Sequence, residues 1–176
     1  NKSQKLIYND VRKFGFIKFF NNKNIKNSFH LKNLGPEPLG HEFNYVYFKK
    51  YIIGRNRGIK NIIMDQQFVS GIGNIYANEI LFLSKVNPTR KVKTLKDFEL
   101  KKIIIYTKKI LKSSIKLGGS SIKDFSSSNG KKGSFQQHFN VYGKKNEPCS
   151  NKNCKNKIVR SLISNRSTFS CSKCQK

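Results

Sequence analysis

All four cysteines of the chain fall between positions 149 and 174, in the spacing Cys149-x4-Cys154-x16-Cys171-x2-Cys174. Two close pairs can place four thiolates around a single ion, each pair supplied by one tight turn, which is the tetrahedral arrangement Zn²⁺ takes. Two disulfides or four buried thiols are the alternatives. The clustering at one end of the chain, with Lys and Asn filling the knuckles, favours a metal over a scattered disulfide framework, and suits a reducing compartment. Four filled positions leave no place for a reactive water, so one structural Zn²⁺ is expected. Between the pairs lie IVRSLIS (158–164) and RSTFS (166–170), two strand-like runs. The predicted unit is therefore a β-hairpin finger.

The remainder must fold without that staple. The 176 residues are enough for one ordinary domain or two small ones. Lys and Arg outnumber Asp and Glu 36 to 9, a formal charge of +27. An excess spread over the whole chain calls for a polyanionic partner, with nucleic acid ahead of an anionic membrane surface. Abundant Lys, Asn, Ile and Phe with scarce Ala is also what an AT-rich coding sequence produces, so part of the charge is compositional. No apolar run approaches the ~20 residues of a membrane span, and no signal peptide is visible. A cytoplasmic monomer is expected. The first residue is Asn1 rather than Met, and LIYND reads as mid-strand, so an upstream segment is also expected.

Residues 5–20 predict two strands around a turn near Asn9-Asp10, and 21–28 a polar loop. LGPEPLG (34–40), with two prolines, marks a domain boundary. Apolar residues at 43, 46, 47 and 51 predict a first helix. Further helices are predicted over 58–67, 75–84 and 95–117. Thr94 with Asp97 reads as a capping-box start for the last, and Gly118-Gly119 as its stop. A Ser/Gly/Lys loop (126–134) and a strand over 135–142 lead to the cysteines. Between the second and third helices sits GIGNIYANE (71–79), uncharged at a helix mouth in a very basic chain. Glycines there admit a close backbone approach, and a helix N-terminus binds phosphate through its free N–H groups and dipole. A plain N-cap at Asn74 is the simpler alternative.

DQQFVSGIGNIYANEILF, GGSSIKDF, the loop into FQQHFNVYG, and RSTFSCSKCQ stand in this order, and together they resemble the formamidopyrimidine-DNA glycosylases. The resemblance implies an α+β chain in four parts. These are the last strands of an N-terminal β-sandwich (1–33), a helical helix-two-turns-helix DNA-binding domain (34–125), a lesion-loop linker (126–140) and a C-terminal β-hairpin zinc finger (141–176). It implies base-excision repair: a glycosylase removing oxidised purines such as 8-oxoguanine, with AP lyase cleavage by β,δ-elimination. The partner would be double-stranded DNA carrying such a lesion or an abasic site. The family's Pro-Glu start and its β-elimination lysine have no match here, so the chain is expected to be inactive alone. Its first cysteine pair is spaced x4 where the family has x2. The alternatives are a non-catalytic zinc-bearing DNA-binding remnant, or an endonuclease VIII-like enzyme for oxidised pyrimidines.

Residue by residue, the resemblance makes Arg166 the phosphate clamp assigned to the final elimination step. Arg12 would face the orphaned cytosine, and Phe14 would wedge the stack from the same strand face, with Lys13 opposite and free to hold a phosphate. Gly73 and Asn74 would receive a phosphate at the helix mouth. Lys60 matches a phosphate-contacting lysine. Asn56 falls where some members bind DNA with Lys, its lost charge offset by Arg55 or Arg57. A solvated basic patch is the alternative for that cluster, as a bare linker is for the loop 126–137. Glu79 and Asp65 read as packing or capping residues, and His30, His41 and His138 show no triad pattern.

Overall fold

The computed structural model describes residues 7–10, 13–21, 25–120 and 133–176. The chain divides into two compact units, Asn1–Lys32 and Asn33–Lys176.

In the first unit the expected pair of strands is not found among the described residues, whose one regular element there is a 3₁₀ turn, Ile25–Asn27. A strand exists only by pairing with another, and nothing described in this unit offers a partner edge. Its large side chains accordingly stay exposed, Phe14 at 80% and Phe19 at 94%. Lys13 sits in the left-handed region at φ 55°, its N–H donating to Asp10 O at 3.1 Å. That turn breaks the period-two alternation on which the facing of Phe14 and Lys13 was predicted. Arg12 lies outside the described residues.

The second unit is built on four helices: α1 (Tyr45–Ile52), α2 (Ile59–Ile63), α3 (Asn74–Ser84) and α4 (Asp97–Lys116). Its connector 34–40 is pinned rather than loose. The Gly35 N–H donates to Gln66 O at 2.7 Å, and the approach is so close that a Cβ there would lie 2.5 Å from the Phe68 carbonyl carbon. α1 buries Phe48 and Ile52 against Phe43 and Phe68, with the Phe48 and Phe68 rings 4.7 Å apart. Ile59, Ile62 and Ile63 of α2, Ala77, Ile80 and Leu81 of α3, and Leu100, Ile103 and Ile110 of α4 complete one apolar core. None of the described helices is long and apolar enough to cross a membrane.

Three boundaries differ from expectation. α2 ends at Ile63, because Asp65 starts a turn in which its carbonyl accepts the Phe68 and Val69 N–H groups. α4 begins later than 95: Thr94 belongs to a 3₁₀ turn, Val92–Thr94, and the N-cap is Lys96, whose N–H donates to Glu99 Oε2 at 2.8 Å. The acid that caps is therefore Glu99, not Asp97. At the other end Gly118 and Gly119 do stop the helix, with positive φ and the paired N–H bonds to Ile115 O and Ser114 O of a Schellman turn. The predicted strand over 135–142 is instead a 3₁₀ helix, Phe135–His138. Phe135 and Phe139 both reach the core and meet edge to face at 5.9 Å. A spacing of four made these apolar neighbours, where a strand would have spaced them by two.

Thr107 Oγ1 is buried in α4 with no hydrogen-bond partner among the described residues. Thr107→Val removes that unsatisfied hydroxyl at nearly constant shape, so stability should rise by about 1 kcal/mol. The readout is a thermal midpoint raised by roughly 2–4 °C; a lowered midpoint would show that the hydroxyl is bonded after all.

Candidate metal centre and nucleic-acid interface

The finger forms as the sequence predicts. β1 (Val159–Ile163) and β2 (Arg166–Ser170) pair antiparallel with Arg160 opposite Phe169 and Leu162 opposite Ser167. Ser164 and Asn165, at φ 48° and 58°, make the two-residue turn, the doubly left-handed geometry that matches strand twist. The four cysteine sulfurs all lie within 4.8 Å of one another. Cys149 and Cys174 Sγ are 3.8 Å apart, and Cys154 and Cys171 Sγ 3.6 Å. A tetrahedron of sulfurs at the usual 2.3 Å from zinc has edges of about 3.8 Å, whereas a disulfide requires about 2.05 Å. The donor set therefore fits a four-coordinate metal. The x4 spacing closes because the Cys154 N–H turns back to Asn151 O at 2.8 Å. Burial pushes the Cys149 thiol up to about 12, so forming the thiolate there depends on a cation and releases a proton.

β2 is tied to the helices around Ser167. Asn74 Nδ2 donates to Ser167 O at 3.0 Å, and Lys60 Nζ donates to the same carbonyl at 3.3 Å and to Thr168 Oγ1 at 2.7 Å. One turn along α3, Asn78 Oδ1 accepts the Phe169 N–H at 2.8 Å. Arg160 donates from Nη2 to Ser167 Oγ at 2.9 Å. Lys60 is fully buried, which the alternative of a solvated basic patch does not fit. Burial, and next the Arg166 guanidinium, lower its ammonium to about 8. A docked anion would raise it again. Arg166 itself is exposed, and lines a cleft of about 330 Å³ with Arg57, Asn61, Asp65, Gln66 and Ser164.

The α3 mouth opens beside this cluster. Its N-cap is Gly73, not Asn74, so no side chain caps the first turn. A Cβ at Gly71 or Gly73 would meet nothing within 4 Å, and Gly71 has φ +80°. Gln66 holds the turn, accepting the Gly71 N–H at 2.7 Å and donating to Ile72 O at 3.1 Å. The two arginines expected to replace a charge at exposed Asn56 are both occupied: Arg57 pairs with Asp65 at 2.7 Å, and Arg55 lies 4.2 Å over the Tyr51 ring. The structure thus gathers Lys60, Gly73, Asn74 and Arg166 in one place, with Asn56 outside their bonded cluster. Lys13 and Phe14 belong to the other unit.

Several organising residues escaped the sequence. Ser167, Asn78 and Gln66 act through backbone geometry that only the fold defines. Glu79, read as a packing or capping residue, accepts four hydrogen bonds, from Asn140 N and Nδ2, Val141 N and Tyr142 N, all at 2.8–2.9 Å. The signal for it was a carboxylate inside the otherwise uncharged run NIYANEILFL.

A helical domain with an uncapped glycine mouth, clamped to a four-cysteine hairpin, defines a helix-two-turns-helix module with a metal-type finger. Residues 34–126 match the formamidopyrimidine-DNA glycosylase H2TH domain, and the chain belongs to that family. It is 42% identical over 171 residues to the formamidopyrimidine-DNA glycosylase of Hydrogenovibrio crunogenus, covering 97% of this chain and 60% of the relative. With that of Rickettsia bellii the identity is 39% over 176 residues, covering 100% and 63%. Among solved structures, the Lactococcus lactis Fpg in complex with abasic-site DNA superposes with a TM-score of 0.86 at 34% identity, covering 95% of this chain and 60% of that one. The Thermus thermophilus MutM (Fpg) protein gives 0.77 at 33%, covering 82% and 55%. The chain thus spans about 60% of the length of the curated relatives it matches.

Proposed function

We propose that this chain is part of a base-excision repair enzyme, a DNA glycosylase with AP lyase activity that acts on oxidised purines. Its described residues are the portion that grips the DNA backbone. The observation that carries this is the convergence of buried Lys60, exposed Arg166 and the open α3 mouth on one strand of the finger. Positive charge and an uncapped helix mouth stand side by side there, the chemistry a phosphodiester requires. Membership of the family and the likeness to a relative bound to abasic-site DNA support the same reading. One structural Zn²⁺ on Cys149, Cys154, Cys171 and Cys174 would hold β2, and with it Arg166, against α2 and α3. Asn74 serves this site by fixing β2 through Ser167 O, leaving one amide proton for the phosphate. Phe14, Lys13 and Arg12 remain candidates for the wedge and its flanks, and Asn56 for a rim contact.

Arg166→Ala should weaken binding to lesion and plain duplexes alike, by ~1–3 kcal/mol as for a charge-assisted hydrogen bond. It should also flatten the dependence of log K on log salt by about one counterion. Asn74→Ala should weaken binding with the slope intact, since a neutral amide displaces little counterion. An Arg166→Ala variant with unchanged affinity and slope in a salt titration would remove the clamp from this site.

A further inference from the structure

We infer that the outward face of α4 is a second polyanion-binding surface, fitted to the phosphodiester backbone of a second duplex segment. At 3.6 residues per turn, Lys101, Lys102, Lys109, Lys112 and Lys116 fall within about 100° of arc. All five are exposed. They lie opposite the buried side of the helix, which carries Leu100, Ile103, Thr107, Ile110 and Ser114. The stripe runs for ~22 Å along the axis. No acid shares it. The two carboxylates of α4 sit in its first turn and are taken elsewhere, Asp97 by Lys49 at 3.0 Å and Glu99 by Arg90 at 2.6 Å.

Such a row is unfavourable on its own. Lys109 with Lys112, and Lys112 with Lys116, are like-charge neighbours that each cost a few tenths of a kcal/mol in an isolated helix. Surfaces without a polyanionic partner intersperse opposite signs to relieve this. A duplex presents one negative charge per about 1.7 Å of axis, dense enough to engage every lysine of the stripe. The exposed apolar residues among them, Phe98 and Ile105, do not form a continuous band for a lipid surface, and Lys102 Nζ stands 5.4 Å over the Phe98 ring.

Lys109 and Lys116 border a hollow with Asn140 at the finger's entry, whereas the Arg166 end of β2 lies across α3 from the stripe. α3 packs against both α4 and β2: Tyr76 OH meets Ser114 Oγ at 2.6 Å on the buried side of α4, while Asn74 and Asn78 reach β2. Two helix layers at 8–10 Å spacing therefore set the surfaces on the order of 20 Å apart, about the width of a duplex. One straight segment does not reach both, so the protein should bridge two. This bridging role rests on the proposal that the finger face holds the first.

The test is capture of a fluorescent duplex of about 25 base pairs by the same duplex on beads, dependent on the full chain, at low salt. Replacing Lys109, Lys112 and Lys116 together by Gln, a good helix former, should lower capture at least about ten-fold, as expected when three phosphate contacts are lost. Single-duplex affinity should stay within about two-fold, with helix content unchanged by circular dichroism. The same charge change made at Lys91, Lys93 and Lys145 should leave capture intact; an equal loss there would reduce the effect to net charge and overturn the proposal. So would unchanged capture in the stripe variant, or loss only of its binding to phosphatidylglycerol vesicles. The two readings fail separately. If Arg166→Ala leaves single-duplex affinity untouched, the finger assignment falls, and the stripe is then judged by whether its triple variant lowers the salt slope by about 2–3.

Discussion

Stripping the metal from the cysteine cluster is expected to unfold the finger and lower affinity for an abasic-site duplex by two orders of magnitude or more. The hairpin has only two strands, a size marginal in water without help. Its apolar support is a small cluster of Phe82, Val141, Ile158 and Phe169 with Cys149 and Cys171. Structural zinc contributes about 10–16 kcal/mol to finger-sized units at neutral pH, far more than such a cluster supplies. The helical domain has its own core from Phe43 to Ile110 and should survive. The protein as purified should carry about one equivalent of zinc. Chelation, or Cys171→Ser, should abolish amide protection in β1 and β2 while leaving that of α3 and α4. Arg166 then loses its place beside Lys60, and the Ser167 carbonyl leaves Asn74. A metal-free, reduced protein that bound DNA at full strength would sink the structural role of the metal.

The parts legible in sequence are those fixed by local chemistry. Cysteine spacing forecast the cluster, two strand-like runs forecast the hairpin, and Gly118-Gly119 forecast the end of α4, because each signal needs only neighbouring residues. α1 was expected as a helix, but it buries Phe48 and Ile52, and Val46 of the expected apolar face is exposed. The misses share a cause. The two strands expected around Asn9-Asp10 fall partly outside the described residues, and the described ones supply no partner edge for them. FQQHF was assigned a strand although its phenylalanines are four apart, the spacing of one helical face. Lys60 was expected to contact phosphate, and the alternative of a solvated basic patch does not fit its burial. Its burial depends on β2, more than a hundred residues downstream, passing over α2. The GIGN turn was recognised as a backbone feature, and the N-cap is Gly73 rather than Asn74, the simpler alternative.

Glu79→Ala should destabilise the protein by ~3–5 kcal/mol, the range reserved for breaking a buried polar network. The carboxylate is 1% exposed and is the shared acceptor for three successive backbone N–H groups, 140 to 142, and for the Asn140 amide. Those donors sit where the chain passes from the 3₁₀ helix Phe135–His138 toward the first cysteine, so Glu79 brackets the finger's entry segment to α3. Removing it strands buried N–H groups, each costing about 1–3 kcal/mol when left unsatisfied, and opens space between the two apolar clusters. A thermal midpoint lowered by roughly 10–15 °C is the corresponding readout. Glu79→Gln tests the chemistry at constant volume. One oxygen of the pair becomes an NH₂ facing N–H donors, so at least half of the loss should remain, where a purely packing role would lose almost nothing. If both variants melted within about 1 kcal/mol of the unmodified chain, the entry segment would be held by Phe139, Val141 and Tyr142 alone. Glu79 would then be a tolerated buried acid, and the order of the finger would rest on its metal and on Ser167.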